Sequence, residues 1–327
     1  MTLFSGYSLS RSAALGGLSA AIVAVAVSLA CCGTAWSPGG DYSGTLTLAR
    51  DGANDPFAPR VIVDLDIASN KLTVRFDGFD PQRTRTGEFA YITRLTQGYI
   101  ADYGVVTADA RGVPSAPLYV CSRFSFNSNR ICHTPKLSPD GQSIAFGAAA
   151  GGGKVCKDVY GTKWADYVIV EHRKGGEIAR FEGYYYPEWL PDGRLLMLGS
   201  QCRGAGVWIA DPALRGLTRI DGKEVATPAK LPAVSPDGKR VALVWNNQLW
   251  TLSLDGRHEL SQVTRAENPV AAAAWSPDGT ALAVIFAGVS MPVKSLLLLR
   301  PGDERSAVMR QLSFYPFGPM SWSADRR

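Results

Sequence analysis

Ser235-Pro236-Asp237-Gly238, followed by Val241-Ala242-Leu243-Val244, reads as a turn and then a buried strand, and the chain repeats this pair. Ser138-Pro139-Asp140-Gly141 stands before Ile144-Ala145-Phe146. Pro191-Asp192-Gly193 precedes Leu195–Leu198, and Ser276-Pro277-Asp278-Gly279 precedes Leu282–Phe286. A worn copy, Ser323-Ala324-Asp325, lies near the C-terminus. Ser suits the first corner of a type I turn, Pro presets φ at the second, and Gly is favoured at the fourth. The Asp side chain bonds nearby backbone N–H groups. Short apolar runs bounded by turn residues fit buried strands better than helices.

Each unit continues alike. A further strand follows at Tyr167–Val170, Val207–Ala210, Leu249–Leu254 and Leu296–Leu299. Tight turns stand at Gly175-Gly176 and Asp255-Gly256, and the last strands end near Leu217-Thr218, Val263-Thr264 and Leu312-Ser313. An apolar residue precedes each turn: Leu137, Trp189, Val234, Trp275, Trp322. Four strands repeated every 40–50 residues or so make a propeller blade. The pattern resembles the TolB-like propeller repeat, over about 135–327, through its Trp-Ser-Pro-Asp-Gly turn and following strand. That resemblance implies a non-enzymatic adaptor between envelope lipoproteins or complexes.

The N-terminal part lacks the phrase. Arg94-Leu95-Thr96-Gln97-Gly98, with Tyr99-Ile100-Ala101, is the expected decayed copy, and Thr107-Ala108-Asp109 competes with it. Gly44–Ala49, Val61–Leu65 and Lys71–Phe76 read as the outer three strands of one blade. The C-terminal Trp322–Asp325 supplies its innermost strand, so the two ends close one ring and remove open sheet edges. The expected fold is all-β: a six-bladed propeller of four-stranded antiparallel blades over residues 44–327, with seven blades as the alternative.

Residues 1–32 carry a single charged residue, Arg11, an apolar run from Ala13 to Ala30, and then Cys31-Cys32-Gly33. This reads as a secretory signal with a lipobox-like end, lipidated on Cys31 or Cys32, followed by a tether over 33–43. Several acyl chains hold a protein at a membrane, at about 0.8 kcal/mol per buried methylene. No Asp follows either Cys, which leans toward the outer membrane rather than the inner one, with the body facing the periplasm. Cys121, Cys132, Cys156 and Cys202 are an even set in an oxidising compartment. The favoured pairs are Cys121–Cys132, bracing one blade, and Cys156–Cys202, joining loops of successive blades.

Catalytic patterns are missing. No Gly-x-Ser-x-Gly elbow occurs, and with the propeller expected to close at the last residues no fused hydrolase domain is expected. His133, His172 and His258 fall in different units and read as structural or surface residues. Gly151-Gly152-Gly153-Lys154 fails the phosphate-loop pattern and reads as a flexible loop. Asp64 and Asp66 share a strand face but are too few for calcium, and read as turn and surface carboxylates. No metal or cofactor is expected. The formal net charge of +5 is spread along the chain without a long basic run, which points away from nucleic acid. Trp208, Trp245 and Trp250 read as packing between blades. Tyr184-Tyr185-Tyr186, at the entry to an innermost strand, are the candidate ligand contacts.

The leading expectation is a lipid-anchored envelope propeller that binds protein partners without catalysis. The alternatives are a small-ligand or glycan sensor using Tyr184–Tyr186, and a lactonase- or cyclase-like propeller enzyme.

Overall fold

The computed structural model describes residues 42–50, 60–96, 102–121, 131–157, 163–200, 203–213, 216–287, 294–312, 314 and 316–324. The signal segment with Cys31 and Cys32, most of the tether, Cys202 and Asp325 lie outside them, as does the side chain of Cys156.

Six four-stranded antiparallel sheets make up the body. Blade 1 begins with β1 (Thr45–Arg50), β2 (Val61–Asp66) and β3 (Leu72–Asp77). Blade 2 is β4 (Phe79–Arg83), β5 (Phe89–Arg94), β6 (Tyr103–Ala108) and β7 (Tyr119–Cys121). Blade 3 is β8 (Ile131–Leu137), β9 (Ser143–Lys157), β10 (Lys163–His172) and β11 (Glu177–Glu182). Blade 4 is β12 (Tyr184–Trp189), β13 (Leu195–Gly199), β14 (Gly206–Ala210) and β15 (Leu217–Arg219). Blade 5 is β16 (Lys230–Val234), β17 (Arg240–Trp245), β18 (Gln248–Ser253) and β19 (Leu260–Gln262). Blade 6 is β20 (Val270–Trp275), β21 (Leu282–Phe286), β22 (Lys294–Arg300) and β23 (Asp303–Leu312).

The last strand, β24 (Pro316–Ser323), returns to pair with β1 as the innermost strand of blade 1. The expected closure by both chain ends, and the count of six, are what the structure shows. Trp322 fastens the joint: its Nε1 donates to the Ser43 carbonyl at 2.9 Å, and its ring lies 6.3 Å from that of Tyr42. Gly44, at φ +106°, leaves no space for a side chain beside that indole.

The repeated phrase forms the turn after the innermost strand in blades 3 to 6. Gly141, Gly238 and Gly279 donate N–H to the carbonyls of Ser138, Ser235 and Ser276 at 2.9 Å, and Gly193 to Leu190 at 3.0 Å. These glycines have φ between +68° and +86°, a region costly for other residues. Ser138, Ser235 and Ser276 donate Oγ–H to Asp140, Asp237 and Asp278 at 2.5, 2.6 and 2.6 Å, and these bonds hold the carboxyls below their ordinary pKa. The tryptophan before the turn reaches back one blade. Trp189 Nε1 donates to the Lys136 carbonyl and Trp275 Nε1 to that of Ala233, each at 2.9 Å.

Blade 2 corrects the expected position of its decayed copy. Arg94 ends β5, and Thr107-Ala108 lie in β6, so neither candidate is the turn. The turn is Thr84-Arg85-Thr86-Gly87. Gly87 N–H donates to the Thr84 carbonyl at 3.0 Å, and the Thr84 and Thr86 hydroxyls bond at 2.8 Å where the other blades place Ser and Asp. Threonine replaces both polar residues while keeping the hydroxyl that the geometry needs, so the words are gone and the bonds remain.

The cores lie between neighbouring blades. One cluster joins Leu196, Leu198 and Val207 of blade 4 to Val241, Leu243 and Leu252 of blade 5, with Trp245 and Trp250 against it. Trp208 packs into the cluster shared by blades 3 and 4, so these indoles sit between blades as expected. Cys121 and Cys132 are disulfide-bonded, but they belong to β7 and β8, so the bridge joins blades 2 and 3 rather than bracing one blade. Gly151–Lys154, expected as a flexible loop, lie within β9, where Gly151 pairs with Trp164 of β10 and the residues after it fall in a register shift. Asp64 is not a surface carboxylate. It is buried, accepting from Thr47 Oγ1 at 2.5 Å, Arg75 Nε at 2.7 Å and Arg83 Nη1 at 3.1 Å.

Candidate functional site: the axial channel

The innermost strands β24, β4, β8, β12, β16 and β20 contact one another in that order and back to the first, enclosing an axis. Each is interrupted by a bulge. In five the bulge is an X-Pro step whose first residue has positive φ: Asp80 (+52°), Thr134 (+49°), Tyr186 (+51°), Leu231 (+47°) and Gly318 (+65°). Proline has no N–H for a ladder, so a strand that carries one resolves it in a bulge. In β20, which has no such proline, Ala271 occupies the bulge.

This second repeat was missed in the sequence, although it is written there. Pro81, Pro135, Pro187 and Pro232 each stand three residues before the first residue of the turn, Thr84, Ser138, Leu190 and Ser235. Positive φ is strained for a β-branched or bulky residue such as Thr134, Tyr186 or Leu231. The bulge brings one residue from each blade to the same level of the axis.

Polar groups gather there. The Asp80 carboxylate accepts from Thr134 N–H at 3.0 Å and lies against Gly318, which has no room for a side chain. Burial pushes its pKa up, opposed by that N–H and by Arg60 and Lys136. The His133 ring lies over Gly147, its ladder partner, in space a Cβ there would occupy. Its Nδ1 is 3.1 Å from Thr134 Oγ1, and burial pushes its pKa down to about 4, so the imidazole is neutral at physiological pH. The Tyr186 ring meets it edge to face at 5.3 Å. Just past the bulges of β8 and β12, Lys136 and Glu188 form a buried ion pair, with Glu188 pushed up by burial and held back by Lys136. Asp80, His133, Tyr186 and Glu188 are all deep enough to be desolvated, yet each keeps part of its side chain accessible. All four stand on innermost strands, at or beside the bulges.

The three tyrosines of the expected site part company. Tyr184 is buried, edge to face with Trp208 at 5.6 Å, and belongs to the core between blades 3 and 4. Tyr185 donates its hydroxyl to the Ala229 carbonyl at 2.8 Å and packs against Tyr186 at 4.9 Å. Tyr186 alone occupies the bulge level of the axis. Asp166, near the start of β10, lies within electrostatic range of both Tyr185 and Tyr186, and burial raises its pKa.

At the turn side the channel is crossed. Arg85 Nη2, from the turn of blade 2, donates to the Pro236 carbonyl in the turn of blade 5 at 2.7 Å. These blades stand three places apart in a ring of six, directly across the axis. The inner strands begin on the opposite face. A separate cleft of about 240 Å³ lies off the axis between the turns of blades 4 and 5, lined by Leu190, Asp192, Asp237, Leu254 and His258. Among the described residues no three His, Cys, Asp or Glu side chains are placed to share a metal ion.

The chain matches no protein-family model, and no curated protein matches it. Solved structures do. TolB from Acinetobacter baumannii aligns with a TM-score of 0.64 at 16% identity, over 88% of this chain and 68% of that one. A protein from Agrobacterium tumefaciens assigned as TolB aligns at 0.54 and 16%, over 84% and 91%. The fold is shared with TolB propellers. Hydrazine synthase of Kuenenia stuttgartiensis, a protein with an enzyme's name, also aligns at 0.55 and 14%, over 85% of this chain and 48% of that one. At these identities the likeness establishes the propeller and leaves activity to the residues of the site.

Proposed function

We propose that this propeller is an envelope protein that captures a protein partner at the entry mouth of its axial channel, acting as an adaptor without catalysis. The observation that carries the reading is the form of the channel: crossed by Arg85 on one face, and lined toward the other by Tyr186, His133 and Asp80. A concave site with aromatic walls and a few polar groups is the usual form of a binding site. The TolB fold supports the envelope assignment. Export by residues 1–32, lipid on Cys31 or Cys32, attachment to the outer membrane, and a Cys156–Cys202 bridge belong to the same proposal.

The test places a photo-crosslinking residue at Lys230, exposed at the start of β16, in cells. A specific protein adduct that disappears in a Tyr186→Ala variant of normal thermal stability supports the reading. Adducts indistinguishable from those of a crosslinker on the outer strand β3 overturn it.

A further inference from the structure

The turn of blade 4 departs from the chain's own pattern. Blades 2, 3, 5 and 6 carry a hydroxyl at the first corner, on Thr84, Ser138, Ser235 and Ser276, and each accepts an N–H from the start of the next strand. In blade 4 that corner is Leu190, which has no hydroxyl to offer its strand or Asp192. Asp192 is held by Arg194 instead, through Nε at 2.9 Å and Nη2 at 2.7 Å. The turn gains nothing from a leucine there. Its buried side chain lines the cleft of about 240 Å³ between the turns of blades 4 and 5.

The two turns touch where Pro191 packs on Gly238, a contact that leaves no room for a side chain at 238. The lining is apolar below: Leu190 and Ile220 are buried, and Ile209 and Leu254 are half-buried. Two polar groups of the lining have bonding capacity unused. Asp237 accepts from Ser235 Oγ and the Lys239 N–H through Oδ1 alone, so among the described residues Oδ2 takes no bond. Those bonds keep the carboxyl below its ordinary pKa and charged. His258 makes no hydrogen bond among the described residues, and its Nδ1 is shut off from solvent. Pockets for drug-sized ligands run to about 300–1,000 Å³, so this cleft is of the size for a single side chain. An acidic guest would meet the Asp237 charge. An aliphatic one would take water from Oδ2 and give no donor in return. An aromatic ring with its own N–H or O–H covers the apolar lining and supplies that donor.

We infer that this cleft is a second binding site, which takes one tryptophan or tyrosine side chain of a protein partner. The ring lies on Leu190, Ile209, Ile220 and Leu254, and its N–H or O–H donates to Asp237 Oδ2. A single aromatic anchor in a pocket can carry much of the energy of an interface. The cleft lies off the axis, and the inference does not depend on the reading of the channel.

The test uses the full chain carrying ¹³C-histidine, whose three ring signals come from His133, His172 and His258. His258→Gln and His133→Gln variants assign the signals of the cleft and of the channel. Nα-acetyl-tryptophanamide and Nα-acetyl-tyrosinamide are expected to shift the His258 signal saturably and to leave His133 in place. Nα-acetyl-phenylalaninamide has the same backbone amides and a ring without a donor, and is expected to bind about tenfold more weakly than the tyrosine amide. Leu190→Thr installs the residue that blade 2 uses in a turn of the same span, since Thr84 N–H bonds the Glu88 carbonyl as Leu190 N–H bonds that of Arg194. It is expected to weaken binding of the tryptophan and tyrosine amides about tenfold. Leu254→Ser, in the half-buried wall, makes the same test with the same expected loss should Leu190→Thr not fold. Flat titrations, a shift of His133 in place of His258, equal binding of the phenylalanine amide, or unweakened binding to the folded leucine variant overturns the inference.

Discussion

Arg85 and Pro236 are 151 residues apart in sequence and joined by a 2.7 Å hydrogen bond across the turn-side mouth of the ring. The bond is exposed, so its contribution to stability is small. Arg85→Ala is expected to cost no more than about 1 kcal/mol in thermal or urea unfolding. The amides of the blade 5 turn should exchange faster with deuterium, while those of the blade 4 turn should not change.

His133 sets a pH dependence. Its folded pKa, about 4, lies below the ordinary value of 6.5 because burial disfavours the charged ring. Below pH 6.5 the unfolded chain therefore binds a proton that the folded chain refuses. Stability from this residue is present above pH 6.5 and lost as pH falls toward 4, by on the order of 3 kcal/mol. Asp80 and Glu188, raised by burial, act in the opposite sense in the acid range. Comparison with His133→Gln isolates the histidine: urea unfolding of the variant should show a shallower loss of stability between pH 7 and 4.

Gly147 exists for that ring. Gly147→Ala puts a methyl where the imidazole lies, and is expected to destabilise by about 1–3 kcal/mol. Combined with His133→Ala the penalty should shrink, and a double-mutant cycle reads the difference. Additive losses would separate the two residues.

The inter-blade disulfide closes a short loop between Cys121 and Cys132. Replacing both with Ser should lower stability by about 2–3 kcal/mol in the chain-entropy account. Peptide mapping without reduction should recover the two cysteines in one linked fragment. Unchanged unfolding in the double Ser variant would count against the bridge.

Asp64 gathers Thr47, Arg75 and Arg83, and Arg83 N–H in turn bonds Ser321 Oγ at 2.8 Å, tying blade 2 to the closing strand. Asp64→Ala removes the carboxylate that accepts from Arg75 and from the buried Arg83 guanidinium. The expected cost is about 3–5 kcal/mol by urea unfolding.

The blades were legible because turn chemistry is local: Ser, Pro, Asp and Gly must stand at fixed corners, so Asp140, Asp237 and Asp278 announce themselves. Blade closure was legible because the strands at Gly44–Ala49 and Trp322 lacked partners. Thr84–Gly87 was hidden because Thr hydroxyls replace Ser and Asp, keeping the bond while changing the letters. Asp64 was misread because strand alternation says which face a residue takes, and not whether an arginine from the next blade covers it. The channel residues were hidden for a related reason. Asp80, His133 and Tyr186 come from three blades, and only the ring brings them together. The in-phase prolines were the one local sign, and a proline within a strand reads as a breaker unless its repeat is noticed.

The pairing of β24 with β1 has a consequence in time. The first strand of the body waits for a partner made some 270 residues later in the chain, a long loop closure that slows folding. Until β24 arrives, β1 and the exposed flank of blade 6 are open edges, free to pair with other chains. The same joint that completes blade 1 in the finished ring leaves β1 adhesive in every unfinished copy, so the interval between first strand and last is when this molecule depends most on being kept apart from its own kind.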